Sequence, residues 1–189
     1  MVALVIIPFT WALFEAVFFF IVPDVWLTWL VISKRNWKQI SAAILCATCG
    51  AILGGMIVYY LGENLPRLVI VNWLDQIPGI SQSLIENISG EVDRDGVFSY
   101  LKGMWGGNPY KVYSAFWGER NGDLGLWVLI SVVARASRFI LTILSAVLIN
   151  NFGERLINSW EQRKRIIFLI FWFCFYVFYF YHFTNIENL

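Results

Sequence analysis

Apolar and polar positions alternate along this chain in long blocks rather than with the short periods of a soluble domain. Residues 40–62 form one uncharged run, about 34 Å of helix at the usual rise and enough to cross a hydrocarbon core. Residues 124–149 form a second run, which carries Arg135 and Arg138, and residues 166–183 a third, crowded with aromatics and bearing His182 near its end. These predict three full transmembrane helices. Two other apolar stretches are interrupted. In residues 2–33 the second half holds Pro23, which removes a helical donor, and Asp24, an acid that needs a partner in an apolar setting. In residues 97–118 short apolar arms flank Gly106-Gly107-Asn108-Pro109-Tyr110-Lys111, where glycine and proline break any helix. Both stretches read as re-entrant helical hairpins, which tolerate open backbone at membrane depth only under protein or beside a water-filled cavity. Residues 63–96 mix acids with apolar positions and read as an extramembrane amphipathic segment, and residues 150–165 as a polar cytoplasmic one.

Composition agrees with this pattern. Hydrophobic residues make up 59% of the 189, with 16 Phe, 10 Trp and 8 Tyr, and charged residues only 14%. Soluble domains average about 25% charge, so the chain reads as an all-α integral membrane protein with one membrane domain, 1–189. A net charge of +1 gives no field to attract nucleic acid. Residues 1–14 are uncharged and no short apolar run ends at a small-residue cleavage site, so the N-terminus is expected to stay in the mature protein. Lys34, Arg35 and Lys38 flank the first clean span, and Arg155, Arg163, Lys164 and Arg165 lie between the other two. By the positive-inside rule the loops 34–39 and 150–165 are cytoplasmic and the C-terminus, 184–189, is outside. The expected location is a plasma membrane.

A repeat underlies this layout. Pro23-Asp24-Val25, Lys34 and a span ending in Leu61-Gly62-Glu63-Asn64-Leu65 are echoed by Pro109-Tyr110-Lys111-Val112, Glu119 and a span ending in Phe152-Gly153-Glu154-Arg155-Leu156. Because the two halves enter from opposite sides, the relation is an inverted repeat, an architecture that puts substrate near the midplane where broken helices meet.

Five charges fall inside embedded stretches: Glu15, Asp24, Lys111, Arg135 and Arg138. Each acid or arginine at mid-depth costs about 2.5–3.5 kcal/mol on insertion scales, so such residues are usually partnered and functional. Arg135 and Arg138 are three residues apart and share a helix face with Ser131 and Thr142. Snorkelling and a structural ion pair with Glu15 or Asp24 are the plainer readings of the arginines. An N-cap on a half-helix from residue 25 is the plainer reading of Asp24, and an interfacial ammonium that of Lys111. Three cations against two acids leave a surplus of one positive charge, which suits an anion. Arginine's planar fork matches phosphate, and a half-helix start near Asn108, Pro109 and Tyr110 would add backbone amides. Arg135, Arg138, Lys111, Asn108 and Tyr110 are therefore the candidate groups for a phosphate head group, and Glu15 and Asp24 those for a coupling proton. Pro23, Pro109, Gly106 and Gly107 are the expected hairpin breaks.

Other features carry less chemistry. Ala43, Ala47, Gly50 and Gly54 line one helix face and read as close helix packing. Cys46 and Cys49 have C-x-x-C spacing inside a span with no other Cys or His near in sequence, so neither a metal, a cofactor nor a disulfide is expected. The aromatics of the last span read as a lipid-facing or helix-packing surface with interfacial Trp and Tyr. With one histidine at a span end and no nucleophile–base pair, no catalytic residue and no enzyme activity is expected; an intramembrane enzyme acting on lipid phosphate is the poorest of the readings. The residues leave a homo-oligomer open, and also a non-transporting assembly or docking protein that uses the 43–54 face and the last span.

Together these motifs resemble the DedA superfamily (the VTT or SNARE-associated domain) and, within it, the YqaA-like branch. The resemblance is carried by Phe14-Glu15 through Phe19-Phe20-Ile21-Val22-Pro23-Asp24-Val25, and by Gly50-Ala51-Ile52-Leu53-Gly54-Gly55 through Tyr60-Leu61-Gly62. Asn108-Pro109-Tyr110-Lys111-Val112 and Ala134-Arg135-Ala136-Ser137-Arg138-Phe139 complete it, so that it covers roughly residues 10–165. The resemblance implies two inward-facing re-entrant hairpins in an inverted repeat. It also implies proton-linked transport, recycling of polyprenyl phosphate carriers, or phospholipid translocation or scrambling. The family's essential membrane acids and arginines would fall on Glu15, Asp24, Arg135 and Arg138.

Overall fold

The computed structural model describes residues 2–186, with no description of the side chains of residue 2 and residues 182–186. His182, expected at an interface, and the end of the expected outer C-terminus therefore lie outside what is described. Nine α-helices make up the described chain: α1 (Val2–Val17), α2 (Asp24–Ile32), α3 (Trp37–Asn64), α4 (Arg67–Asp75), α5 (Gln82–Asp95), α6 (Ser99–Gly106), α7 (Tyr110–Glu119), α8 (Leu124–Leu156) and α9 (Trp160–Ile186). A single 3-10 turn, Gly96–Phe98, joins α5 to α6, and there is no strand among the described residues. Three helices, α3, α8 and α9, are long and apolar enough to cross a membrane, as befits a membrane protein.

The helix ends follow local chemistry. Asn36 opens α3 by accepting a hydrogen bond from the Gln39 amide at 2.9 Å, and Asp123 opens α8 by accepting from Leu126 at 2.6 Å. Helix α3 stops just before Pro66, and α6 stops on Gly107, whose φ of 80° only glycine adopts without strain. Helix α8 runs past the apolar stretch because nothing breaks it before residue 157: Asn150 donates to Glu154 one turn on, and the helix continues to Leu156.

Helix α3 is the axis of the molecule. Alanine and glycine on one of its faces let α1 approach until backbones touch: a Cβ on Gly50 would run into the Phe9 carbonyl, and one on Gly54 would lie 2.6 Å from the Leu13 oxygen. Ala43 and Ala47 are fully buried in the cluster formed with Ala12 of α1, Leu27 and Leu30 of α2, and Phe139 and Ile143 of α8. Further along, α7 meets α3 in the same way, with Gly62 against the Ala115 carbonyl and Gly118 against that of Tyr59. The second arm of each interrupted stretch thus packs on the long helix of the other half, α2 on α8 and α7 on α3.

Segment 63–96 forms two amphipathic helices. Ile70 and Leu74 of α4 and Ile85, Ile88 and Val92 of α5 are buried under α7 at helical spacing. Arg67 pairs with Glu119 at 2.9 Å and Arg120 with Asp93 at 2.6 Å at this end. At the other, Lys34 reaches Glu161 at 2.7 Å and Glu154 at 3.5 Å, bringing the α2–α3 turn and the α8–α9 connection to the same end of the bundle. Its hydrogen bond to Glu161 holds the Lys34 ammonium above the usual lysine range.

Candidate functional site

The five embedded charges converge. Helix α1 carries Glu15 in its last turn, and Trp11, one turn earlier, donates its indole N–H to the Ile21 carbonyl at 2.8 Å and turns the chain toward Pro23. Helix α2 then starts with Asp24 as its first residue. Pro23 occupies the N-cap without a side-chain bond, so Asp24 does not cap its own helix. Its carboxylate instead accepts from Arg138 at 3.1 Å and from the Thr142 hydroxyl at 2.6 Å, both on α8. One turn back, Arg135 faces Glu15.

The two arginines are held differently. Arg135 is fully buried, its guanidinium lying 4.2 Å from the centre of the Tyr110 ring, which stacks on Trp127 at 5.4 Å and donates to the Ser131 hydroxyl at 2.9 Å. Its Nη1 stands 3.1 Å from Glu15 Oε2, yet neither atom makes a hydrogen bond there; the one hydrogen bond of the pair runs from Nη2 to Oε1 at 3.5 Å. Charge proximity in a low dielectric, more than hydrogen bonding, holds this pair. Arg138 is one third exposed, with side-chain accessibility of 32%. It lines a cavity of about 420 Å³ with Glu15, Asn108, Pro109, Tyr110, Lys111 and Tyr176, whereas Arg135 lines neither of the two cavities described here.

Lys111 is the third cation. It is 4% exposed and donates to the Phe19 carbonyl at 2.9 Å, at the C-terminal end of α1, where a positive charge also meets the negative end of the helix dipole. Among the described residues no carboxylate lies within ion-pairing distance of it. An ammonium has three donors, so two remain for an acceptor in the cavity. Asn108 donates to Tyr113 at 2.9 Å, and Tyr113 donates to Glu91 at 2.5 Å, tying the α6–α7 break to the amphipathic α5. Gly106 and Gly107 line the cavity beside Asn108, and α7 begins behind Pro109 without a side-chain cap.

The helix α9 aromatics take part in the site beyond what the sequence reading gave them. Tyr176 accepts from the Val22 amide at 2.9 Å, satisfying a donor opened by the α1–α2 break, and Trp172 donates to Thr28 at 3.2 Å. Phe175, Tyr176, Phe178 and Tyr179 wall the Lys111 cavity, while Phe173 lines neither cavity and is exposed. Three of the aromatics with a polar atom, Trp172, Tyr176 and Tyr179, fall on one helix face within the span, a pattern that sets them apart from an interfacial belt at its ends. No cluster of three metal-ligating side chains occurs among the described residues, and Cys46, Cys49 and Cys174 are free.

The chamber is thus lined by Glu15 and Arg138, one member of each acid–arginine pair, by the Lys111 ammonium and by an uncapped helix start. Comparison with family models, curated proteins and solved structures finds no match to this chain.

Proposed function

We propose that this protein moves a phosphate-bearing lipid, a polyprenyl phosphate or a phospholipid, between membrane leaflets, with protons on Glu15 and Asp24 coupled to the cycle. The observation that carries the reading is Lys111, a buried cation with no carboxylate within ion-pairing distance among the described residues, lining a chamber that Arg138 of the Asp24 pair also lines. A buried unmatched cation is costly and invites an anion. The head group sits between Lys111, Arg138, Asn108 and the first amides of α7 around Tyr110. A proton taken up by Asp24 cancels its hold on Arg138 and frees the guanidinium for phosphate, and loss of the proton reverses the exchange. Arg135, sealed under Tyr110, positions Glu15 and the Tyr110–Ser131 contact rather than touching the head group.

In this reading the chain is a DedA-like protein of a bacterial inner membrane, and α1–α2 and α6–α7 are re-entrant hairpins of an inverted repeat. Two features support that: both units are broken at proline-marked positions, and α2 and α7 pack reciprocally on α8 and α3. Loops 34–39 and 150–165 are cytoplasmic, in keeping with the Lys34–Glu154 and Lys34–Glu161 contacts. The competing reading, a docking or assembly protein, draws on the neutralisation of both arginines, which a purely structural pair would also show.

Leaflet exchange of labelled polyprenyl phosphate and labelled phospholipid in proteoliposomes tests this, for wild type, Arg138→Ala and Asp24→Asn, with and without a pH gradient. Exchange that is lost in Arg138→Ala and no longer responds to the gradient in Asp24→Asn is the expected result. Absence of exchange of either lipid by verified folded wild type overturns the proposal in favour of docking.

A further inference from the structure

A second and larger cavity, about 490 Å³, lies on the other side of Arg138, between α2, α8 and α9. It shares Val22, Met104, Trp105, Arg138 and Phe175 with the Lys111 chamber, so the two spaces adjoin across those five side chains. Their walls differ in character. Beyond those shared residues the lining is chiefly Ile32, Leu141, Ile149, Ile167, Phe168 and Phe171. Most of the polar side chains it contains are already occupied: Asp24 by Arg138 and Thr142, Thr28 by the Asp24 carbonyl and Trp172, Asn150 by Glu154 and Trp160, and Lys164 by Glu161 at 2.9 Å. A space of this volume whose polar groups are mostly satisfied favours an apolar occupant. The outer wall is α9, whose aromatics continue outward onto an exposed apolar face, so an occupant is in reach of the hydrocarbon phase.

We infer that this groove seats the apolar tail of a single-chain or partly inserted phosphate amphiphile whose head group lies in the Lys111 chamber, Arg138 standing at the junction of the two. The inference rests on the reading of the chamber as a phosphate site and adds to it the place, helices and chemistry of tail recognition. Adjacency across those side chains is what selects a lipid tail over other apolar occupants: a cationic chamber lying against an apolar groove matches one amphiphile lying across both.

Photolabelling tests it with the protein in phosphatidylcholine nanodiscs, using a long-chain alkyl phosphate bearing a diazirine near the tail end and the matching alkanol as control. Label is expected on groove residues Leu141, Ile167 and Phe171 in preference to Leu144, Leu169 and Phe173, which are exposed but line neither cavity. Filling the groove with Ala146→Phe, or with the more exposed Ser145→Phe if the first variant misfolds, should cut groove label at least about tenfold, the order lost when an apolar pocket rejects even one methylene. Equal label on both sets of residues means lipid merely surrounding the helices and overturns the inference. So does Lys111-dependent binding of the alkyl phosphate without groove label, a result that leaves the function reading standing. Groove label equal for alkyl phosphate and alkanol upholds the tail groove and overturns the phosphate reading instead.

Discussion

Removing one partner of the Glu15–Arg135 pair tests how this membrane core tolerates charge. Arg135 has no exposed surface, and its Nε and Nη1 already lack hydrogen bonds. Glu15→Gln removes the only carboxylate paired with it among the described residues and keeps the side-chain volume. A guanidinium cannot shed its proton, so the charge stays, buried against the Tyr110 ring alone. Breaking a buried pair from one side costs about 3–5 kcal/mol. The reverse change, Arg135→Met, costs less, because a lone carboxylate escapes by taking up a proton. The double variant Glu15→Gln/Arg135→Met should regain most of the loss, since apolar or neutral replacements of a buried pair are often neutral. Fraction folded against SDS mole fraction, read by far-UV circular dichroism or by size exclusion, gives all four corners of the cycle. A coupling of about 2 kcal/mol or more is expected. The companion pair should show less, about 1–2 kcal/mol, because the Arg138 side chain is 32% exposed where Arg135 is fully buried. If Glu15→Gln stays within about 0.5 kcal/mol of wild type, the additive range of surface changes, then the pair is hydrated and the buried-charge reasoning is wrong.

Other substitutions probe the frame around the site. Gly62→Val sets a Cβ against the Ala115 carbonyl, which belongs to backbone that cannot swing aside, and should lower stability by about 1–3 kcal/mol or prevent α7 from docking, measured as the SDS midpoint. Gly107→Ala meets nothing within 4 Å, so its cost isolates the strain of φ 80° at the α6 end, about 1–2 kcal/mol in the same assay. Tyr176→Phe leaves the Val22 amide without its acceptor and should cost about 1 kcal/mol, with faster deuterium exchange confined to residues 18–25; unchanged exchange there would mean that α9 does not secure the break.

Much of the frame is legible in the sequence because membrane helices announce themselves by uninterrupted apolar runs. The run at 40–62 became α3, lengthened to 37–64 by the Asn36 cap and the Pro66 stop. The breaks at Pro23 and at Gly107-Asn108-Pro109 fall where donor loss and positive φ require them. Hydropathy could not give the end of α8, since a helix that leaves the apolar zone continues on polar residues as readily as on leucine. The partners of the arginines were also beyond it: Glu15 and Arg135 are 120 positions apart, and composition offers both Glu15 and Asp24 to either arginine. Only packing assigns Glu15 to Arg135 and Asp24 to Arg138 and leaves Lys111 with a carbonyl. The role of α9 was hidden for another reason. In a span where nearly every residue is apolar, the face that closes a cavity and the face that meets lipid differ by a hydroxyl and an indole N–H, too small a change for a hydropathy window to register.

Lys111→Met gives the most direct test of the central claim that an unmatched cation in the chamber recognises phosphate. The assay is leaflet exchange in proteoliposomes of a labelled polyprenyl phosphate, a labelled phospholipid and a labelled uncharged lipid of matched tail, by wild type and Lys111→Met protein of equal SDS midpoint. Loss of one charge-assisted hydrogen bond is worth about 1.5–3 kcal/mol, so phosphate-lipid exchange should fall by roughly ten- to hundredfold while the uncharged lipid is unaffected. Exchange of the phosphate lipid at the wild-type rate by the folded variant would contradict the account.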